Sequence, residues 1–211
     1  MSYTLLVLCG GEGRRLHGRD KGWLTVDGES FVAATVRNLV APGSERWRPA
    51  VIISANRNLH SYETLGYRVV RDLRPGFNGP LAGIEAGLAA LCRVAQARTC
   101  QADLLPVIIV PCDMPFLPLD LTVRLLAALD RERTIAVACT RESGRTQPHP
   151  LCMAFHARVW RQDLTTFLDQ GYRRVQDWLA DKPVVHVHFD DTDAFVNVNQ
   201  PETYSAVSGA G

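Results

Sequence analysis

The apolar positions of this chain fall into short uninterrupted runs, separated by stretches in which they recur every three or four residues. The runs are Leu5-Leu6-Val7-Leu8, Val51-Ile52-Ile53, Tyr67-Arg68-Val69-Val70, Val107-Ile108-Ile109-Val110 and Ile135-Ala136-Val137-Ala138. Each has strand length, and the fourth is apolar at every position, as a strand covered on both faces must be. Between them, Val32, Val36, Leu39 and Val40 mark one amphipathic helix. Ile84, Leu88, Leu91 and Cys92 mark a second, running from Leu81 to about Arg93, and Leu121, Leu125 and Leu129 a third. Strand and helix alternate, so the pattern predicts an α/β fold. The sheet is expected to be doubly wound, mostly parallel and Rossmann-like, with helices on both faces. After about residue 148 the rhythm changes. Leu151-Cys152-Met153-Ala154-Phe155 reads as a strand, residues 157–170 and 174–182 as helices, and Val184 to Phe189 as a late strand with His186 and His188 on one face.

Length and composition narrow this picture. A chain of 211 residues suits one domain. Residues 1–205 are expected to form it, with 206–211 a frayed tail. Lys and Arg number 23 against 22 Asp and Glu, a net charge of +1, and 46% of residues are hydrophobic. That balance is globular, and its neutrality argues against a protein that grips nucleic acid through a broadly basic surface. No run of about 18 apolar residues is present, so no membrane helix is expected. The first strand is entered without a basic leader, unlike a signal peptide. Six cysteines, at 9, 92, 100, 112, 139 and 152, form no CxxC pair and several lie inside apolar runs. They read as reduced, buried thiols of a cytoplasmic protein rather than a zinc site or disulfide framework.

Open parallel sheets bind ligands beyond the carboxyl ends of their strands. The loop after the first run is Leu8-Cys9-Gly10-Gly11-Glu12-Gly13-Arg14-Arg15-Leu16-His17-Gly18-Arg19-Asp20-Lys21-Gly22. Its glycines let backbone amides approach and cradle phosphate oxygens. Four basic side chains (14, 15, 19 and 21) face two acidic ones (12 and 20) in it, on an otherwise neutral chain. It is not a P-loop, because Gly13 is followed by Arg14-Arg15 and not by Lys and Ser or Thr. It is not the dinucleotide fingerprint either, since Leu16 stands where GxGxxG needs its last glycine. Taken alone, such a loop is equally a solvated basic turn. Asp113, directly after the most apolar run, is a carboxylate at a strand's carboxyl end and suits a hard cation such as Mg2+. Pro115 and Pro118 stand between it and the next helix, which disfavours a capping role.

The string from Leu8 to Lys21 resembles the nucleotidyltransferase signature LAGGxxxRMGxDK. The wider chain resembles the molybdenum cofactor guanylyltransferase family (MobA type). The match is carried by that loop and by Arg71-Asp72 with Pro75-Gly76-Phe77-Asn78-Gly79-Pro80-Leu81-Ala82-Gly83. Val110-Pro111-Cys112-Asp113-Met114-Pro115, Gly171-Tyr172-Arg173-Arg174-Val175 and Asp193-Ala194-Phe195-Val196-Asn197-Val198-Asn199-Gln200-Pro201-Glu202 continue it, in family order. The resemblance implies a nucleotidyltransferase fold with a nucleotide-binding N-terminal half and a pterin-acceptor C-terminal half. It implies transfer of GMP from GTP to the terminal phosphate of molybdopterin, with Mg2+ as cofactor and pyrophosphate as the second product.

Residue by residue, the resemblance implies a triphosphate clamp of Arg15 and Lys21 and a metal ligand in Asp113. Leu8, Cys9, Gly10, Gly11, Lys21, Ser54, Asp72, Gly79, Gly83 and Asp113 match nucleotide-contacting positions. Cys9 stands where the family has Ala, a small residue kept small. Ser54 stands where the family has Asn, and a hydroxyl makes fewer hydrogen bonds than an amide, so Asn56 is a candidate to share its role. Gly79 and Gly83 serve equally as helix punctuation, and Asp72 as a turn residue. Arg174, Asn197 and Asn199 match positions on the acceptor side, where the two asparagines would point the same way from an extended segment but would also suit a turn. His149, between two prolines, is a further candidate there, while His186 and His188 are assigned nothing. The resemblance implies GTP and molybdopterin as partners, contact with other proteins of cofactor assembly, neither nucleic acid nor membrane, and a monomer. The rival readings are a cytidylyltransferase for the same pterin, a sugar-phosphate nucleotidyltransferase, and a non-catalytic cofactor chaperone.

Overall fold

The computed structural model describes residues 3–10, 20–26, 28–40, 49–76, 78–98 and 106–198. Its strands are β1 (Thr4–Leu8), β2 (Thr25–Val26), β3 (Glu29–Ser30), β4 (Ala50–Ser54), β5 (Arg68–Val70), β6 (Pro106–Pro111), β7 (Ile135–Glu142), β8 (Arg145–His156) and β9 (Val184–His188). Its α-helices are α1 (Phe31–Leu39), α2 (Leu59–Glu63), α3 (Pro80–Arg98), α4 (Leu121–Ala127), α5 (Ala157–Asp169) and α6 (Val175–Leu179). Seven strands form one sheet in the order β5-β4-β1-β6-β8-β7-β9, and β2 and β3 make a small separate hairpin. β1 pairs in parallel with both β4 and β6, β4 with β5, and β7 with β9; only β8 runs antiparallel, against β6 and β7.

The chain lays β4 and β5 down on one side of β1 and then returns to place β6 on the other. The direction of winding thus reverses between β1 and β6. At such a point the loops leaving the two strands diverge and open a crevice at their carboxyl ends. Those loops begin at Cys9 and Cys112.

Alternation along the central strands divides the core between the two faces of the sheet. Leu5, Val7, Ile53, Ile108 and Val110 pack with Val32, Val36 and Leu39 of α1, Tyr62 of α2 and Leu121 and Leu125 of α4. Leu6, Ile52, Val107 and Ile109 pack on the opposite face with Leu81, Ile84 and Leu88 of α3, Trp160 and Leu164 of α5 and Trp178 of α6. The all-apolar pattern of β6 follows from this, because helices cover it on both sides.

Several elements depart from the sequence pattern. β7 and β8 extend into a long hairpin around Ser143 and Gly144, both at positive φ, which is the backbone twist a tight hairpin needs. Residues 141–147 are exposed, so no apolar period signals this arm. α2 and the β2–β3 hairpin are too short to leave a period, α3 continues to Arg98, and α6 ends at Leu179. The expected tail and the stretch after Pro201 lie outside the described residues. Cys9, Cys112, Cys139 and Cys152 are buried free thiols.

Ile109 is fully buried at the centre of the sheet. Ile109→Ala is expected to cost about 2–5 kcal/mol in urea unfolding, the usual range for a truncated core isoleucine. A loss below about 1 kcal/mol would contradict the two-faced core described here.

Candidate active site

At the carboxyl rim, β1 stays paired on both sides beyond its last residue. The Cys9 amide donates to the Ser54 carbonyl at 2.8 Å, and the Cys112 amide donates to the Leu8 carbonyl at 3.1 Å. Gly10, the next residue, is exposed. The chain returns to this rim at a short 3-10 turn, Lys21–Trp23, with Asp20 at its N-cap. The Lys21 ammonium donates to Asp113 Oδ2 at 3.0 Å, with side-chain exposures of 35% and 15%. Asp113 does not cap a helix: α4 begins at Leu121 with Asp120 at its N-cap. Its backbone carbonyl accepts from the Val198 amide at 2.9 Å, so the C-terminal segment is pinned beside it and exposed Asn197 is its neighbour.

A second cluster forms at the ends of β4 and β5. Ser54 is 1% exposed. A Cβ on Gly83 would lie 2.6 Å from its Oγ and 3.3 Å from Leu8 Cδ2, so the first turn of α3 sits on this rim only because residue 83 lacks a side chain. Asn56 and Asp72 hold each other reciprocally: Asn56 Nδ2 donates to Asp72 Oδ2 at 2.8 Å, and the Asp72 amide donates to Asn56 Oδ1 at 3.0 Å. Burial pushes the Asp72 carboxyl above its ordinary pKa; the Asn56 hydrogen bond opposes this and the nearby charge of Glu85 adds to it. Gly79, at φ +73°, precedes Pro80 at the start of α3. Glycine before an N1 proline fits the start of a helix.

Two arginines tie the loop between β5 and α3 to the C-terminal half. Arg74 grips Glu85 of α3 with two hydrogen bonds of 2.7 Å and reaches Asp169 of α5 at 2.8 Å. Arg173 donates from Nε to Asn78 Oδ1 at 3.0 Å and from Nη1 to the Leu168 carbonyl at 2.7 Å. Its own carbonyl lies 3.6 Å from where a Gly79 Cβ would stand. Exposed Arg174, the N-cap of α6, is thereby brought beside the Asn78–Gly79 loop. Further along the C-terminal half, the His149 ring stacks on Phe195 with centroids 4.4 Å apart, and its Nε2 lies 2.9 Å from Thr140 Oγ1. Burial lowers the His149 pKa.

Of the residues singled out from the sequence, Leu8, Cys9, Gly10, Lys21, Ser54, Asp72, Gly79, Gly83 and Asp113 thus lie along the carboxyl ends of β1, β4, β5 and β6. Asn197 adjoins Asp113, whereas Arg174 sits by the loop after β5. Gly11, Arg15 and Asn199 lie outside the described residues. Sequence reasoning did not find the Asn56–Asp72 pair, Arg74 with Glu85, or the role of Arg173 beside Arg174. The partners in these pairs are 11 to 95 residues apart. Among the described residues no group of three or more His, Cys, Asp or Glu side chains could hold a metal.

A switch-point crevice with a lysine and a carboxylate facing each other across it defines an NTP-transferase-type α/β domain. Its fold is shared with the molybdopterin-guanine dinucleotide biosynthesis protein A of Archaeoglobus fulgidus, at a TM-score of 0.66 and 20% identity, over 99% of this chain and 97% of that one. Residues 5–184 match the MobA-like NTP transferase domain, and the chain belongs to that family. It is 35% identical to a molybdenum cofactor guanylyltransferase of Polynucleobacter asymbioticus over 98% of this chain and 96% of the relative. It is 40% identical to one of Ralstonia nicotianae over 93% and 91%.

Glu85 is 5% exposed, so its charge depends on Arg74. Arg74→Met is expected to cost about 3–5 kcal/mol in urea unfolding by stranding a buried carboxylate, and Arg74→Met with Glu85→Met to recover most of it. Equal losses in the single and double variants would contradict this pairing.

Proposed function

We propose that this protein transfers GMP from GTP to the terminal phosphate of molybdopterin, a reading supported by relatives named molybdenum cofactor guanylyltransferase. A phosphate oxygen of the acceptor attacks the α-phosphorus of GTP and forms a new P–O bond. The bond from that phosphorus to the α–β bridging oxygen breaks, and its electron pair leaves with pyrophosphate. The attacking group is already an anion, so the site needs position and charge neutralisation more than a strong base. The observation that carries the reading is the Lys21–Asp113 pair at the switch point, in a chain of this family.

The donor set fits Mg2+. This ion binds through one or two carboxylates and completes its shell with substrate phosphates and water, so Asp113 suits it without the cage of three or more ligands that the described residues lack. Bound there with GTP, Mg2+ would neutralise the triphosphate and the departing pyrophosphate. Lys21, with Arg15, would hold the triphosphate, the backbone at Leu8 and Cys9 would border it, and the amides of Gly10 and Gly11, beyond the strand ladder, would line it. Asp72, fixed by Asn56, would accept from the N1–H and amino group of guanine. Ser54, packed under Gly83, would support that pocket with Gly79 at its edge. Arg174, Asn197 and Asn199 would hold the acceptor. We read the chain as a cytoplasmic monomer that meets other proteins of cofactor assembly when the cofactor is handed over. No helix among the described residues is long and apolar enough to cross a membrane.

GTP, CTP, ATP and UTP, each supplied with Mg2+ and molybdopterin, separate the readings by pyrophosphate release. GTP alone is expected to react, and only when acceptor is present; preference for CTP would make this a cytidylyltransferase, and no release with any of the four would leave a binding protein. Asp113→Asn is expected to lower turnover by about two orders of magnitude or more with the melting transition kept. Turnover near that of the unaltered protein would remove Asp113 from the mechanism.

A further inference from the structure

Lys21 carries its charge on a flexible four-carbon stem, so its ammonium is placed only as well as the backbone beneath it. That backbone rests on a buried phenol. Tyr62 of α2 is 0% exposed, and its hydroxyl donates to Asp20 Oδ1 at 2.6 Å. The same oxygen accepts from the Gly22 amide at 3.2 Å, and Asp20 Oδ2 accepts from Asn58 Nδ2 at 3.1 Å. Asp20 is therefore held by donors from the residue just past Lys21 and from the start of α2. The turn closes over it through Trp23 N to the Asp20 carbonyl and Leu24 N to the Lys21 carbonyl, each 3.1 Å.

Packing makes the same point. A Cβ on Gly22 would stand 2.3 Å from the Tyr62 hydroxyl oxygen and 3.1 Å from two of its ring carbons, so the turn lies directly on the phenol. The Trp23 and Tyr62 rings follow at 5.2 Å between centroids. Burial, with the neighbouring Cys9, Cys112 and Asp20, raises the Tyr62 pKa, which keeps its hydroxyl a donor at any working pH.

We propose that Tyr62 is a positioning residue for the transfer: its hydroxyl, acting through Asp20, sets the turn that carries Lys21 to Asp113 and the triphosphate. The ring serves the core, and the hydroxyl serves the site. This rests on the reading of Lys21 as the cation that binds GTP.

The test is Tyr62→Phe, which keeps the ring and removes the donor, made in the full chain alone and together with Lys21→Ala. GTP binding with Mg2+ is read by titration calorimetry, and KM and kcat by pyrophosphate release with molybdopterin. Tyr62→Phe is expected to weaken GTP binding and raise KM roughly 5–30-fold, below the roughly 10–150-fold scale of a directly lost hydrogen bond to a charged group because the hydroxyl acts through Asp20, while the far-ultraviolet spectrum stays unchanged. With Lys21 already replaced by Ala, adding Tyr62→Phe should change either value less than about twofold, because the two act as one unit. Unchanged GTP affinity and KM in Tyr62→Phe, or the same fold-loss in both backgrounds, would overturn the proposal. If Tyr62→Phe does not fold, Gly22→Ala carries the test, since it pushes on the same hydroxyl and keeps every polar partner. It is expected to show the same loss, abolished with Lys21→Ala, and wild-type affinity would overturn the proposal. Lys21→Ala with unaltered GTP affinity and turnover would overturn the role of Lys21 itself, and this proposal with it. A loss in Lys21→Ala but none in Tyr62→Phe would overturn this proposal alone.

Discussion

A lysine and an aspartate separated by 92 residues meet at 3.0 Å across the crevice where the sheet reverses its winding. Each is delivered by a different constraint. Asp113 follows β6, a strand buried on both faces, and its carbonyl is tied to the C-terminal segment through Val198. Lys21 comes from the loop after β1 and is set down by a 3-10 turn. The two halves of the chain therefore converge on one pair of opposite charges.

That pair contributes little to stability, because partly exposed ion pairs are worth about 0–1 kcal/mol. The structure around it is better explained by position than by strength. Gly83 lets α3 approach Ser54, Gly22 lets the turn rest on Tyr62, and Arg173 holds the loop after β5 against the connection that carries Arg174. Each feature gives up a side chain or fixes a flexible one to bring groups to the rim. An enzyme that works by neutralising a triphosphate, with an anionic nucleophile already in hand, needs this kind of rigidity.

The sheet was legible in the sequence because buried parallel strands write themselves as apolar runs: β1, β4, β6 and the first half of β7 stand within a residue or two of their predicted places. The far half of the β7–β8 hairpin was not, since its exposed residues carry no period. The rim residues Lys21 and Asp113 stood out because a glycine loop and a strand end bracket them. Asp20, Tyr62 and Asn58 did not, because their hydrogen bonds join positions up to 42 residues apart and Tyr62 reads as one more core aromatic. The same holds for Arg74 with Glu85 and for Asn56 with Asp72: pairing across loops leaves no local pattern. Cys9 and Ser54, the two departures from the resembled signature, are both buried, 7% and 1% exposed.

The most direct measurement is a crystal structure with a non-hydrolysable GTP analogue and Mn2+ in place of Mg2+, located by its anomalous signal. The account predicts the ion about 2.1 Å from an Asp113 carboxylate oxygen, close to a Mg2+–oxygen bond, with the Lys21 ammonium within hydrogen-bond reach of the triphosphate. A triphosphate and ion bound away from both residues would contradict it.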